Sequence, residues 1–194
     1  MIRDRNIGYK YQNLFIPAAG FHVVSAAGTG GGGAPVFAEI GGTEITALQM
    51  DVEDTDLASW GSAMPTWIDF ANDIHLRVHY ANVSTDAGTC VWTVKSFTPS
   101  FGEAFTQDDG TAISSTSLSD TLPTTAQRLV ATPWGKVDGG TIVTSAGDWL
   151  KLHVVYDDDG ANNANCYFAG LEILYLPKLT DGPQVNDQPV PTDA

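Results

Sequence analysis

Residues 148–177, DWLKLHVVYDDDGANNANCYFAGLEILYLP, constrain the fold more than any other stretch of this chain. In the first run Leu150, Leu152, Val154 and Tyr156 share one parity, while Lys151, His153 and Asp157 share the other. A period of two marks a strand with one buried face. In the second run Tyr167, Ala169, Leu171, Ile173 and Tyr175 make one face. The other face carries Phe168, Leu174 and Leu176, with Glu172 its one charge. A strand apolar on both faces needs a cover on each, either a second sheet or another subunit. The intervening DDDGANN has hairpin-turn composition. The sequence therefore predicts a central antiparallel pair in an all-β domain.

Clear strand patterns recur elsewhere. In residues 74–80, IHLRVHY, Ile74, Leu76, Val78 and Tyr80 point inward and His75, Arg77 and His79 outward. Residues 90–97, CVWTVKSF, put Trp92 and Val94 on one face, and residues 45–52 alternate through Thr46, Leu48, Met50 and Val52. Residues 14–17 and 21–24 read as short strands broken at Pro17 and Gly20, and residues 127–134 and 141–144 as further candidates. Residues 56–65 and 135–140 have turn composition. Residues 99–107 are irregular, with Phe97, Phe101 and Phe105 recurring every four residues, and the Ser/Thr-rich residues 111–125 suit surface strands and loops. Short strands spaced by turn clusters, with almost no amphipathic helix, predict an antiparallel β-sandwich of the jelly-roll kind. Periodicity cannot separate that strand order from another Greek key. The 194 residues suit one such domain, taken as residues 12–177. An extended N-terminal arm, residues 1–11, and a Pro-rich C-terminal tail, residues 178–194, flank it.

A net charge of −14, from 9 basic and 23 acidic residues, argues against direct nucleic-acid binding, which needs a basic surface. The arm nonetheless holds Arg3, Arg5 and Lys10, a basic anchor on an acidic body. No apolar run is long enough to span a bilayer and no secretory leader is evident, so the chain is expected to be made in a cytoplasm and to engage no membrane. Cys90 and Cys166 are too few for a disulfide framework and read as buried free thiols. The acceptor pattern Asn82-Val83-Ser84 is discounted without a secretory signal.

Catalytic and cofactor signatures are missing. GTGGGG at residues 28–33 is followed by Ala34-Pro35 rather than the Lys-Ser or Lys-Thr of a phosphate loop. The acidic residues 51–56 and 157–159 close no calcium loop. His75 and His79 mimic a zinc pair, yet four residues along a strand span about 13 Å, too far for one ion. Paired carboxylates for glycoside hydrolysis are always available among 23 acidic residues and so carry no signal. No catalytic role, metal or cofactor is expected. Of five tryptophans, Trp92 belongs to a patterned strand and the core. Trp60 and Trp134 sit beside glycines in loops and are the two candidate glycan platforms.

RDRNIGYKYQNLFIPA, AEIGGTEITALQM, TPWGKV, AGDWLKLHVVY and YFAGLEILYLP together resemble the capsid decoration (cement) proteins of tailed bacteriophages, over most of residues 3–177. The resemblance implies a jelly-roll or β-sandwich homotrimer on the outer capsid surface. It implies a structural protein that bridges major capsid proteins against internal DNA pressure, with no catalytic residues. Within that expectation Arg3, Arg5 and Lys10 are assigned to capsid docking, and Phe168, Leu174 and Leu176 to the subunit interface. The alternative is a carbohydrate-binding β-sandwich of a virion fibre or receptor-binding protein.

Overall fold

The computed structural model of the chain describes residues 11–24, 35–51, 57–63, 67–85, 88–97, 114–138, 149–158 and 165–178. Twelve strands are described: β1 (Gln12–Pro17), β2 (His22–Val24), β3 (Val36–Glu39), β4 (Thr46–Met50), β5 (Leu57–Ala63), β6 (Ile74–Asn82), β7 (Thr89–Phe97), β8 (Ser114–Thr121), β9 (Leu129–Ala131), β10 (Gly135–Val137), β11 (Trp149–Asp158) and β12 (Cys166–Tyr175). One 3-10 turn, Ala18–Gly20, joins β1 to β2 where Pro17 and Gly20 interrupt the pattern.

All pairings are antiparallel, and they make two sheets. The first runs β3-β4-β12-β6, with β9 and β10 both on the far edge of β6 and β1 beside β12. The second runs β2-β5-β11-β7-β8. From β4 onward the chain crosses between the sheets at each step except β7 to β8, which pair as neighbours, and β9 to β10, so that β4, β12, β6 and the β9/β10 pair face β5, β11, β7 and β8. That is the strand order of a jelly roll.

The expected β11–β12 hairpin is not formed. Each strand is central in its own sheet, and both edges of each are occupied. β11 pairs with β5 and β7, and β12 pairs with β6 on one side and with β4 and β1 on the other. A run of Asp, Gly and Asn suits a tight turn and a crossing between sheets equally well, so loop composition could not decide between them. β11 also departs from its expected single buried face, because Lys151 and His153 are buried along with the core side.

Two stretches read as turns are strands. β5 is rich in Ser, Gly and Ala, which suppresses its apolar signal, yet it is held between β2 and β11 with Ala58 fully buried. β10 begins at Gly135, where a Cβ would lie 2.1 Å from Leu118 Cδ2 and 2.5 Å from Thr116 Cγ2 of β8. Glycine there lets the edges of the two sheets close on each other.

The core lies between the sheets, and Trp92 is fully buried at its centre. Its ring centroid is 4.6 Å from Tyr156, 5.7 Å from Tyr80 and 6.0 Å from Phe168, while Phe168 meets Phe21 edge-on at 5.0 Å. These contacts tie β7 and β11 of one sheet to β6 and β12 of the other, and aromatic pairs in such geometries add to plain area burial. Cys90 and Cys166 are buried and unbonded to each other. The Cys166 Sγ–H donates to Tyr156 Oη at 3.3 Å, and Tyr80 Oη–H donates to Asp120 Oδ2 at 3.0 Å. Burial, above all, pushes the Cys166 thiol up to about 12 and raises Cys90 and Tyr80 as well. Asn82 is fully buried, and its amide nitrogen donates to the Pro123 carbonyl at 3.4 Å, so it presents no glycosylation acceptor.

The two-faced character of β12 has a local cause. Between Phe168, opposite Tyr80, and Gly170, opposite His79, the strand carries one extra residue, Ala169. Such a bulge reverses the parity. Cys166 and Phe168 enter the core before it, and Leu171, Ile173 and Tyr175 after it. The expected face of Tyr167, Ala169, Leu171, Ile173 and Tyr175 is therefore split. Tyr167 lies on the outer side, buried in a small second cluster with Ile40, Ala47 and Ala81. Ile40 opens the β3–β4 turn, where Gly41 and Gly42 take positive φ. The chain itself thus supplies the cover over this half of β12.

Candidate interaction face

Beyond the bulge, the outer face of the β1–β12–β6 sheet is organised by register. One cross-strand row reads Asn13, Leu174, His75, Lys136. The next reads Phe15, Glu172, Arg77, followed by Trp134, over whose ring the Arg77 guanidinium lies at 4.4 Å. A third reads Pro17, Gly170, His79, Ala131, and a fourth runs through Gln49, Tyr167, Ala81 and Leu129. The outward parity expected for His75, Arg77 and His79 therefore holds. Their surroundings are not simple solvent, because Tyr11, just before β1, lies edge-on against His75 at 5.6 Å and Phe15 of β1 edge-on against His79 at 5.2 Å.

Glu172 is the centre of this face. Its Oε1 accepts from the Asn13 side-chain amide, and its Oε2 accepts from Arg77 Nε and lies 2.7 Å from His79 Nε2. The carboxylate side chain is 7% exposed. Burial opposes its ionisation, but the hydrogen bonds from Arg77, His79 and Asn13 and the charge of Arg77 outweigh that and hold the group down at about 2. The result is a charged cluster in which both carboxylate oxygens are satisfied. The Lys136–Asp73 ion pair at 2.7 Å lies out in solvent and contributes little.

Around this cluster the aromatic surface is open. Tyr11, Phe15, Trp134 and Leu129 are each between 41% and 49% exposed. Each aromatic ring is braced from behind: Tyr11 by His75, Phe15 by His79, Trp134 by Arg77. Rigid aromatic groups beside a paired Arg are the composition of protein interfaces.

The residues singled out in the sequence fall variously. Arg3, Arg5 and Lys10 lie outside the described residues, as do residues 28–33, 52–56, 98–107, 141–144 and 179–194. Phe168 is 0% exposed, packed within its own chain on Trp92 and Phe21, so it has no surface to offer a second subunit. Leu174 is half-buried on the face just described, and Leu176, also half-buried, follows β12 with its carbonyl accepting from the Asp69 N–H at 2.9 Å. Trp60 is half-buried against the core, whereas Trp134 is open. Trp67, not singled out before, is also open and packs on Tyr175 at 4.8 Å. The contribution of β1 was hidden because Tyr11 and Phe15 flank a weak pattern. The signal for Glu172 was its isolation in an apolar strand.

Among the described residues no group of three or more His, Cys, Asp or Glu side chains could hold a metal ion. A small apolar cavity of about 20 Å³ lies between the sheets, lined by residues such as Ile74, Leu150, Leu152 and Ile173.

No family model and no curated protein matches this chain. Solved structures resemble parts of it. Isomalto-dextranase of Arthrobacter globiformis T6, complexed with panose, is 16% identical, over 83% of this chain and 23% of that one, with a TM-score of 0.42. The MgGH51 α-L-arabinofuranosidase is 11% identical over 87% and 26%, at 0.45. The VP2 subviral particle of infectious bursal disease virus is 14% identical over 79% and 42%, at 0.32. The chain thus spans less than half the length of each of these, and at such scores the likeness says nothing of role.

Proposed function

We propose that this chain is a structural, non-enzymatic virion protein, a capsid decoration (cement) protein that forms a homotrimer on the outer capsid surface. There it bridges neighbouring major capsid proteins and stabilises the head. The observation that carries this reading is the outer sheet face, where open aromatic groups surround a carboxylate cluster that is already neutralised. Such a face suits broad contact with another protein better than chemistry on a small molecule. The jelly roll supplies a rigid body for it, and the acidic charge keeps that body soluble until it docks. The basic Arg3, Arg5 and Lys10 provide the polar anchor to the capsid, and modest contacts per subunit become tight when a trimer engages several at once.

Cosedimentation with undecorated heads tests the reading. Saturable binding that raises the heads' resistance to heat or chelation is the expected result. Absence of binding at a large molar excess would remove it. A second reading, a carbohydrate-binding module, rests on the exposed indole of Trp134. It predicts glycan binding that is lost in Trp134→Ala while assembly is unchanged.

A further inference from the structure

We infer that the outer face of the β1–β12–β6 sheet, where Tyr11, Phe15, Trp134 and Leu129 are displayed, is the surface through which the chain meets a second copy of itself. This inference rests on the homotrimer of the proposed function and assigns its contact surface.

Three observations select that occupant. The first is exposure. Four large side chains from β9, the β9–β10 segment, β1 and the residue before β1 stand open on one sheet face, each between 41% and 49% exposed. With strands about 4.8 Å apart, the row from Phe15 to Trp134 is about 14 Å wide, the scale of an interface centre.

The second is polar saturation. Both oxygens of Glu172 are already engaged by Asn13, Arg77 and His79. A sugar needs free donors and acceptors beside an aromatic platform to hold its hydroxyls, and the carboxylate here is committed. An apolar protein surface makes no such demand, and closing over this cluster strands no carboxylate oxygen.

The third is charge. Copies of a chain carrying −14 repel one another over most of their surface. On this face Arg77 is matched by Glu172 and Lys136 by Asp73, with the carboxylate of Asp138 also near Lys136, so its charge is far smaller than that of the chain as a whole. Like-charged copies approach at least cost where the surface is weakly charged and apolar.

The test is the mass of the full chain by light scattering behind a sizing column, on wild type, Trp134→Glu, Leu129→Glu and Trp149→Glu. Trp149 is exposed on β11 of the opposite sheet and serves as the control. The expected wild-type mass is near three times the 20.6 kDa chain. It should fall about threefold in Trp134→Glu and Leu129→Glu, at unchanged thermal melting, and persist in Trp149→Glu. Should Trp134→Glu melt early, Leu129→Glu decides alone, since Leu129 lies on β9, outside the Arg77–Glu172 cluster.

A monomeric wild type, or an oligomer indifferent to Trp134→Glu and Leu129→Glu, overturns the inference. A variant that keeps its mass but loses head binding would give the face to the capsid, and saturable glycan binding lost in Trp134→Glu would give it to a sugar. Either also overturns it. An oligomer that dissociates as expected yet binds no heads sustains this inference and removes the decoration reading. A monomer that binds heads does the reverse.

Discussion

The guanidinium of Arg77 lies over the indole of Trp134, 4.4 Å from the ring centroid, while its Nε–H donates to Glu172. One side chain thereby links the carboxylate at the centre of the outer face to the open aromatic surface at its edge. An Arg held from one side by a carboxylate keeps its planar face fixed for stacking, which a lysine could not reproduce.

That linkage gives a pH dependence with a definite sign. Glu172 is held at about 2 in the folded chain against an ordinary 4.5. A carboxylate with a depressed folded pKa stabilises the fold fully above the unfolded value, and the gain is lost as pH falls through the folded one. Glu172→Gln is expected to cost about 1–3 kcal/mol at neutral pH, at the modest end because Arg77 and His79 keep access to water. The stability gap between wild type and variant should narrow from about pH 4.5 down to about pH 2. Urea midpoints across that range measure it. A gap independent of pH would show that the carboxylate charge is not what stabilises the cluster.

Gly170 sits where β1 crosses close to the bulge of β12. A Cβ there would lie 2.6 Å from Phe15 Cζ and 2.7 Å from the Ile16 carbonyl oxygen. The phenyl ring can turn aside, but the carbonyl belongs to a strand paired along β12 and cannot. Gly170→Ala should therefore cost about 1–3 kcal/mol, more than the small gain from a less flexible unfolded chain. A denaturant midpoint equal to wild type would contradict this account of β1 docking.

Phe168→Ala separates a core role from an interface role. The side chain is buried among Trp92 and Phe21, and deleting it should lower stability by about 3–5 kcal/mol. Under conditions where the variant remains folded, its oligomeric mass should match wild type. Dissociation without loss of melting temperature would be the signature of an interface residue instead.

The two thiols should be silent in the native protein. Burial pushes Cys166 up to about 12 and raises Cys90, so neither supplies thiolate at mildly alkaline pH. Alkylation followed by mass spectrometry should find both unmodified before unfolding and both modified in urea. Rapid native labelling of either one would show that the sandwich opens where it is drawn closed.

Much of the fold was legible because strand period is a local property. IHLRVHY and CVWTVKSF became β6 and β7 with the expected inward sides, and the run from Trp149 and the run from Cys166 became the two central strands. Even the apolar demand of β12 on two faces was correct. The opposite sheet answers it on the core side, as expected, and the outer side differs along the strand. The chain's own β3–β4 turn covers Tyr167 on the outer side, while past the bulge that side carries the Glu172 cluster and its open aromatic rim.

By itself the sequence determined the class: alternating runs separated by turn residues leave a chain no alternative to antiparallel strands with a shared core. It also determined the acidic surface and the burial of both cysteines. Tertiary structure alone decided which strands are neighbours, because the partner of a strand edge is chosen by long-range pairing and the same loop chemistry serves a hairpin or a crossing. It alone set the parity of β12, since one unpaired residue at Ala169 exchanges the faces without altering the composition that a period is read from. And it alone brought Asn13, Arg77, His79 and Glu172 together, from three strands whose register no local pattern encodes.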